Sequence, residues 1–337
     1  ASNKLPKNCF FFPVNLQKTK MGNLLDAPKT EKVDCDSHTS TTGLECGACG
    51  MQGWRLEMED AHIVKDMPSK PDHLFVAVFD GHGGGGAAVY AARNLISCIE
   101  NTQQWQQYVQ QGNENVELLG SALQQAFLDI DVNLKDNQSR GPDTSGCTAV
   151  TAMITPQYII CANSGDSRCV LGTDGQSRPL SEDHKPYDEG ERKRIEAAGG
   201  CVQWKRVDGD LAVSRAFGDF QYKNRPDLPA ESQKVTCLPD IQVWTRTPQD
   251  EILILGCDGV WDVLASYEGV EVARDILLSG ETNMELVAEE LVDIALHKGS
   301  RDNISAVVVK FPGAPAPTSS GGVLARRALR QKDNSNS

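Results

Sequence analysis

No apolar stretch approaches the roughly 20 residues that a membrane-spanning helix needs. The early run CFFFPVNL is short, is interrupted by Pro13 and lacks a small-residue cleavage pattern, so it reads poorly as a signal peptide. Positive charge is also scarce. With 33 Lys and Arg against 46 Asp and Glu, the formal charge is -13, and no basic cluster stands outside the last dozen residues, which disfavours nucleic acid as a partner. The eleven cysteines are odd in number and scattered through apolar runs (Cys98, Cys147, Cys161, Cys169, Cys257), unlike the tight framework of a small secreted domain. A reducing setting, cytoplasmic or nuclear, is the expectation. Histidine numbers only six, and Cys46-Gly47-Ala48-Cys49 has half the spacing of a zinc site with no second CxxC or paired His to complete it, so it reads as small residues leading into the domain. Repeats of fixed period are absent, and 337 residues leave open one large core or two modest ones.

Residues 1–42 are polar and mixed in charge without sustained periodicity, and residues 313–337 have linker composition, so both are expected to be poorly structured extensions of a domain spanning 43–312. Met21-Gly22-Asn23 reads as an alternative start whose Gly22 is a candidate for acylation and weak membrane association, with Asp26 standing where that motif prefers Ser or Thr. Within the domain, LFVAVFD, CTAVTAMIT, YIICANS, EILILGCD and NISAVVVKF are β-branched runs bounded by turn formers. Leu119, Leu123, Ala126, Phe127, Ile130 and Leu134 recur at helical spacing, and residues 86–99, 187–198, 266–278 and 283–297 are further predicted helices. Only Pro156 and its neighbours join CTAVTAMIT to YIICANS, too short a link for a helical crossover, so that pair is predicted antiparallel and the fold class α+β.

Four acidic motifs close apolar runs or turns: FVAVFDGHGGGG at Asp80, CANSGDSR at Asp166, LILGCDGVWD at Asp258 and GSRDNISAVVV at Asp302. One Asp-Gly is ordinary turn chemistry. Several carboxylates at one end of a core repel and desolvate one another, a penalty that bound cations remove. Oxygen donors with little His or Cys suit Mg²⁺ or Mn²⁺. His82, two residues from Asp80, is placed to donate a proton to a leaving group, and Arg55 is placed to fork a phosphate bridging to the cations. Asn137-Gln138-Ser139 and Asn303-Ile304-Ser305 are glycosylation-type triplets, but a glycan on the second would block this site. Asp129-Ile130-Asp131-Val132-Asn133 echoes a calcium loop and fails, with Leu134 where Gly is needed and Arg140 where Glu belongs.

In order along the chain, GMQGWRLEMEDAH, FVAVFDGHGG, SGCTAV, ANSGDSR, RVDGDLAVSRAFGD, CDGVWDV and GSRDNISAVVV resemble the motifs of the protein phosphatase 2C family of metal-dependent Ser/Thr phosphatases. The resemblance implies a four-layer α-β-β-α sandwich with two central antiparallel β-sheets flanked by helices. It implies that Asp80 bridges two Mg²⁺ or Mn²⁺ ions, with the Gly81 carbonyl on one and Asp258 and Asp302 on the other. Glu59 would ligate directly or through water, with Asp60 supporting it, and Asp166 would help hold a weaker third ion. Thr148 and Asn303 would line the site as hydrogen-bonding support. Phosphorylated proteins are the implied substrates, turned over by a monomer through a water activated between the ions. Two rivals follow from the residues: a cysteine phosphatase using Cys49 with Arg55, weakened by the bulky residues between them, and a catalytically silent binding relative.

Overall fold

The computed structural model describes residues 24–112 and 115–335. Gly22, the acylation candidate, lies outside the described residues. The chain opens with β1 (Leu24–Thr39) and β2 (Glu45–Arg55), then β3 (Ala61–Met67) and β4 (Lys70–Phe79). The two-residue β5 (Gly81–His82) leads into helices α1 (Gly86–Asn101), α2 (Gln103–Gln111) and α3 (Val116–Gln138). A second run of strands follows: β6 (Gly146–Cys147), β7 (Ala149–Ile154), β8 (Tyr158–Ser164), β9 (Arg168–Thr173) and β10 (Gln176–Pro179). After α4 (Glu189–Ala197) come the short β11 (Val202–Gln203), β12 (Arg206–Val207) and β13 (Phe217–Gly218), then β14 (Asp240–Thr245) and β15 (Asp250–Gly256). The last elements are α5 (Asp258–Trp261), α6 (Ser266–Leu278), α7 (Met284–His297), β16 (Ile304–Lys310) and α8 (Gly322–Ser335).

Two antiparallel sheets carry the fold, ordered β1-β2-β16-β15-β9-β10 and β14-β8-β7-β4-β3. The β7–β8 pair is antiparallel as predicted from its short link. Alternation along each strand assigns its two faces. In β4, Phe75, Ala77 and Phe79 pack with Leu95, Leu123 and Phe127 of α1 and α3. Leu74, Val76 and Val78 point the other way, meeting Leu253, Leu255, Val307 and Val309 of the opposite sheet. A third cluster joins Ile252, Ile254 and Val308 to Val287, Leu291 and Val292 of α7. Helix, sheet, sheet and helix form four layers, the expected sandwich. Because both faces of the central strands are buried, FVAVF reads as a continuous apolar run.

Two boundaries differ from the sequence expectation. Residues 24–39, expected to be unstructured, form edge strand β1 paired along β2. Its mixed charge is what an edge strand carries to discourage further pairing, so polarity there did not mean disorder. Within residues 313–337, α8 buries Val323 against the α6–α7 layer, and Arg327 pairs with Glu289 and Asp293 of α7. Composition cannot reveal a docking partner that lies 34 to 38 residues away.

Candidate active site

Every acidic motif sits at the same end of the sandwich. Asp80 follows β4, Asp166 follows β8, Asp258 follows β15, and Asp302 precedes β16, which runs antiparallel to β15. Arg55 closes β2 at that same end. Asp80, Gly81, His82, Asp166, Asp258 and Asp302, with Arg55 and Thr148, line one cleft of about 390 Å³. Its far wall is Arg206 and the apolar Leu211, Ala212 and Val213. A hollow of about 420 Å³ beside α3 is larger, but it is lined by Phe220, Pro226 and Leu228, and its carboxylate, Asp131, is already paired with Lys223. It lacks the oxygen donors that the cleft concentrates. The pairing of Asp131 also explains the calcium-loop echo, since that residue faces inward from α3.

The cleft carboxylates are short of positive charge. Burial, then the charges of Asp258, Asp60, Asp166 and Asp302, hold Asp80 well above the usual carboxylate range. Burial and the charges of Asp166 and Asp302 push Asp258 up to about 8. The Asp258 amide donates to Asp80 Oδ2 at 3.4 Å, tying the two motifs together. Asp166 accepts from Lys185 at 2.6 Å through Oδ2, while its buried Oδ1 has no partner. Arg55 reaches Asp302 at 3.4 Å and Glu59 at 3.5 Å, both near the limit of hydrogen bonding.

Glu59, Asp60 and Asn303 stand behind the cleft. The Glu59 carboxylate accepts from the Gly84 amide at 2.5 Å and opens onto a neighbouring depression with Arg55 and Gly83. Asp60 is buried and pushed up to about 7 by burial, although Ser305 donates to its Oδ2 at 2.7 Å; its Oδ1 is unpartnered. Asn303 accepts from the Glu59 amide and donates to the Gln52 and Glu57 carbonyls, each at 2.9 Å, so its side chain staples the Arg55–Glu59 loop to β16. Thr148 bonds Ser167 at 2.7 Å, and its amide donates to the Asp80 carbonyl at 2.9 Å.

These residues fit hard divalent cations. The donors are oxygens, two buried carboxylate oxygens are orphaned, and Lys185 and Arg55 leave Asp80 and Asp258 raised by burial and neighbouring acids. Among the described residues no three cleft carboxylates come within 4.8 Å of one another. That spacing suits ions that keep part of their water shell, as Mg²⁺ does, better than one closed cage.

Sequence reasoning did not assign a role to Asp219. Its Oδ2 lies 2.6 Å from His82 Nε2. The small sheet β13-β6-β5 sets this pair side by side, with Gly146 on the central strand leaving the space; a Cβ there would collide with both side chains. Burial alone would lower the His82 pKa, but the hydrogen bond and charge of Asp219 outweigh it and raise it. Asp219 adopts φ 54°, a left-handed conformation that Asp tolerates better than most residues. The signal was the terminal acid of RVDGDLAVSRAFGD. Lys185 had no comparable signal. Cys49, proposed as a rival nucleophile, is wholly buried, and burial pushes its thiol far up, leaving no thiolate for attack.

Known proteins were compared with this arrangement. The family model described as Protein phosphatase 2C matches residues 44–304. Protein phosphatase ppm-1.A from Caenorhabditis elegans is 40% identical over 316 residues, covering 90% of this chain and 66% of that protein. Protein phosphatase 1B from Bos taurus is 41% identical over 302 residues, covering 88% and 62%. The chain thus spans slightly less than two thirds of these curated relatives. A crystal structure of serine-threonine phosphatase 2C from Toxoplasma gondii superposes with a TM-score of 0.72 at 25% identity, covering 83% of this chain and 99% of that one. With the motifs in order, the sandwich formed and the acidic ends gathered in one cleft, the chain belongs to the protein phosphatase 2C family.

Proposed function

We propose that this chain is a metal-dependent protein phosphatase that hydrolyses phosphoserine and phosphothreonine in proteins. One observation carries the reading: four aspartates from distant motifs share a cleft with a histidine and an arginine, and two of them, Asp80 and Asp258, have no ion-pair partner among the described residues. Asp80, the Gly81 carbonyl, Asp258, Asp302 and Glu59 would hold two Mg²⁺ or Mn²⁺ ions, with Asp60 in support and Asp166 on a weaker third. When bound, such ions neutralise phosphoryl charge and lower the pKa of a coordinated water.

The protein's own groups do the rest. Arg55 stands at the cleft mouth, where its fork would bind two phosphate oxygens and align the ester for in-line attack. His82 directs Nε2 at Asp219, so the imidazolium proton available for transfer is on Nδ1. It would be delivered to the departing seryl or threonyl oxygen. Leu211, Ala212 and Val213 form an apolar wall that limits stray water. Asn303 and Thr148 keep the Arg55–Glu59 loop and the Asp80 backbone in position.

The test is release of phosphate from a phosphothreonine peptide with Mn²⁺ and with chelator, for the wild type and Asp80→Asn. Turnover in Mn²⁺ that vanishes on chelation and in the variant is expected; chelator-resistant turnover would overturn the reading. For His82→Ala, alkyl phosphoesters should slow by roughly 10², the low end for general-acid catalysis, and phenyl phosphates far less. Equal losses on both would remove the acid role.

A further inference from the structure

A second group of metal-binding side chains lies on the helix-covered face of β2, away from the cleft. Opposite Cys49 the β1–β2 ladder is irregular: Val33 pairs with Gly50 and Asp36 with Ala48, so Asp34 and Cys35 share one partner position. Asp34 takes up the bulge with φ 51°. The extra residue brings the Cys35 sulfur within 3.0 Å of the Cys49 sulfur, beneath α7. There, Gly47 lets the start of α7 lie directly on β2; a Cβ would run into the Met284 backbone. The close approach lowers Glu285 and Glu289, neighbours at i and i+4 on the helix surface, onto Cys35. The Cys35 sulfur and one oxygen of each glutamate all lie within 4.8 Å of one another.

The same geometry disposes of the CxxC reading and replaces it. Cys46 and Cys49 are three residues apart on a strand and face opposite sides, Cys46 into the space between the sheets and Cys49 toward α7. They cannot chelate one ion together. Cys49 lies beside Cys35 instead, and it is Cys35 that clusters with the two glutamates. Charge favours a cation as well. Arg327, which reaches Glu289 at 2.9 Å, is shared with Glu290 and Asp293, and Lys32 is engaged with Asp293. Among the described residues no ion pair neutralises Glu285.

We propose that Cys35, Glu285 and Glu289 form a binding site for a thiophilic divalent cation of the Zn²⁺ type, separate from the oxygen-lined cleft, with Cys49 packed beside it. One sulfur and two carboxylates supply three donors of kinds Zn²⁺ accepts, as in sites whose fourth tetrahedral position is held by water, and a sulfur donor discriminates against Mg²⁺ and Mn²⁺. The site bridges an edge strand to a helix. Cys49 and Arg55 lie six residues apart on β2, roughly 20 Å at about 3.3 Å per residue, so the two sites do not share ligands.

The test is Co²⁺ titration of the reduced, chelator-stripped full chain, read by absorption. A thiolate-to-cobalt band in the near ultraviolet with tetrahedral visible bands is expected. It should persist in excess Mg²⁺ and in Asp80→Asn, and Zn²⁺ should displace it. Cys35→Ser should abolish the thiolate band, and Glu285→Gln, an exposed-side change that spares the strand, should weaken Co²⁺ binding by about tenfold or more. Any one of three results overturns the proposal: no thiolate band in the wild type, a band unchanged in Cys35→Ser and Glu285→Gln, or a Cys35–Cys49 disulfide that persists in the reduced protein by peptide mass analysis.

Discussion

The acidic cleft and the segment around α4 both bury carboxylates, and they treat them in opposite ways. Glu191 of α4 lies 2.8 Å from Arg194 and 2.8 Å from Arg215. Burial opposes its ionisation, yet Arg215 and Arg194 push its carboxyl down to about 2. Asp131 is likewise clamped by Lys223 at 2.8 Å. In the cleft, Asp258 goes up to about 8 and Asp60 to about 7, because burial and neighbouring acids act together. The carboxylate is thus paired within the fold where the chain supplies its counter-charge, and left against acidic neighbours where it does not. The comparison separates carboxylates the chain neutralises from those it does not.

Breaking each half should give opposite signatures. Asp258→Asn removes a proposed ligand and a source of repulsion at once. Phosphopeptide turnover should fall by about 10³ or more, since metal charge stabilisation contributes several kcal/mol at about 1.4 kcal/mol per decade. In chelator the variant should melt at or above the wild-type temperature, and in Mn²⁺ the order should reverse. A variant that melts lower in both conditions would make Asp258 a structural acid like Glu191. Lys223→Met strands Asp131 and should cost about 3–5 kcal/mol in urea unfolding, the usual result of orphaning a buried charge. A loss below about 1 kcal/mol would erase the contrast.

Smaller effects sharpen the picture. Asp219→Asn keeps the shape but removes the charge beside His82; turnover of alkyl phosphoesters should drop roughly tenfold, a part of the general-acid contribution, with phenyl esters little changed. For Glu191, the folded value lies below its ordinary 4.5. Its contribution to stability is therefore fully present above about pH 4.5 and is lost as pH falls from there toward about 2. Glu191→Gln should flatten that part of the pH–stability curve measured by thermal melts. An unchanged slope would show that the Arg194–Glu191–Arg215 cluster does not set acid stability.

Legibility followed burial and locality. Central strands such as FVAVF and ILILG could be read because two buried faces leave no room for polar residues, and α6 and α7 because one face is apolar at helical spacing. β1 could not, since an edge strand half in water carries the composition of a linker. α2, QQWQQYVQQ, buries only Trp105 and Tyr108 and lacks the repeated apolar positions that a pattern search needs. In the site, the aspartates and His82 announced themselves through local motifs. Lys185 did not, and Asp219, though it ends a motif, had no role assigned, because their roles depend on partners 19 and 137 residues away.

What the sequence by itself determined was the inventory: which acids end apolar strands, which donor atoms are available, and through ordered motifs the family. Those are local properties, and short segments specify them. Which acids lack a counter-ion, which nitrogen of His82 is engaged, and whether Cys49 meets Cys46 or Cys35 were decided only when the two sheets stacked and α7 settled on β2. Electrostatics and coordination act over a few ångströms of space, and distances in sequence do not fix distances in space until the chain is packed.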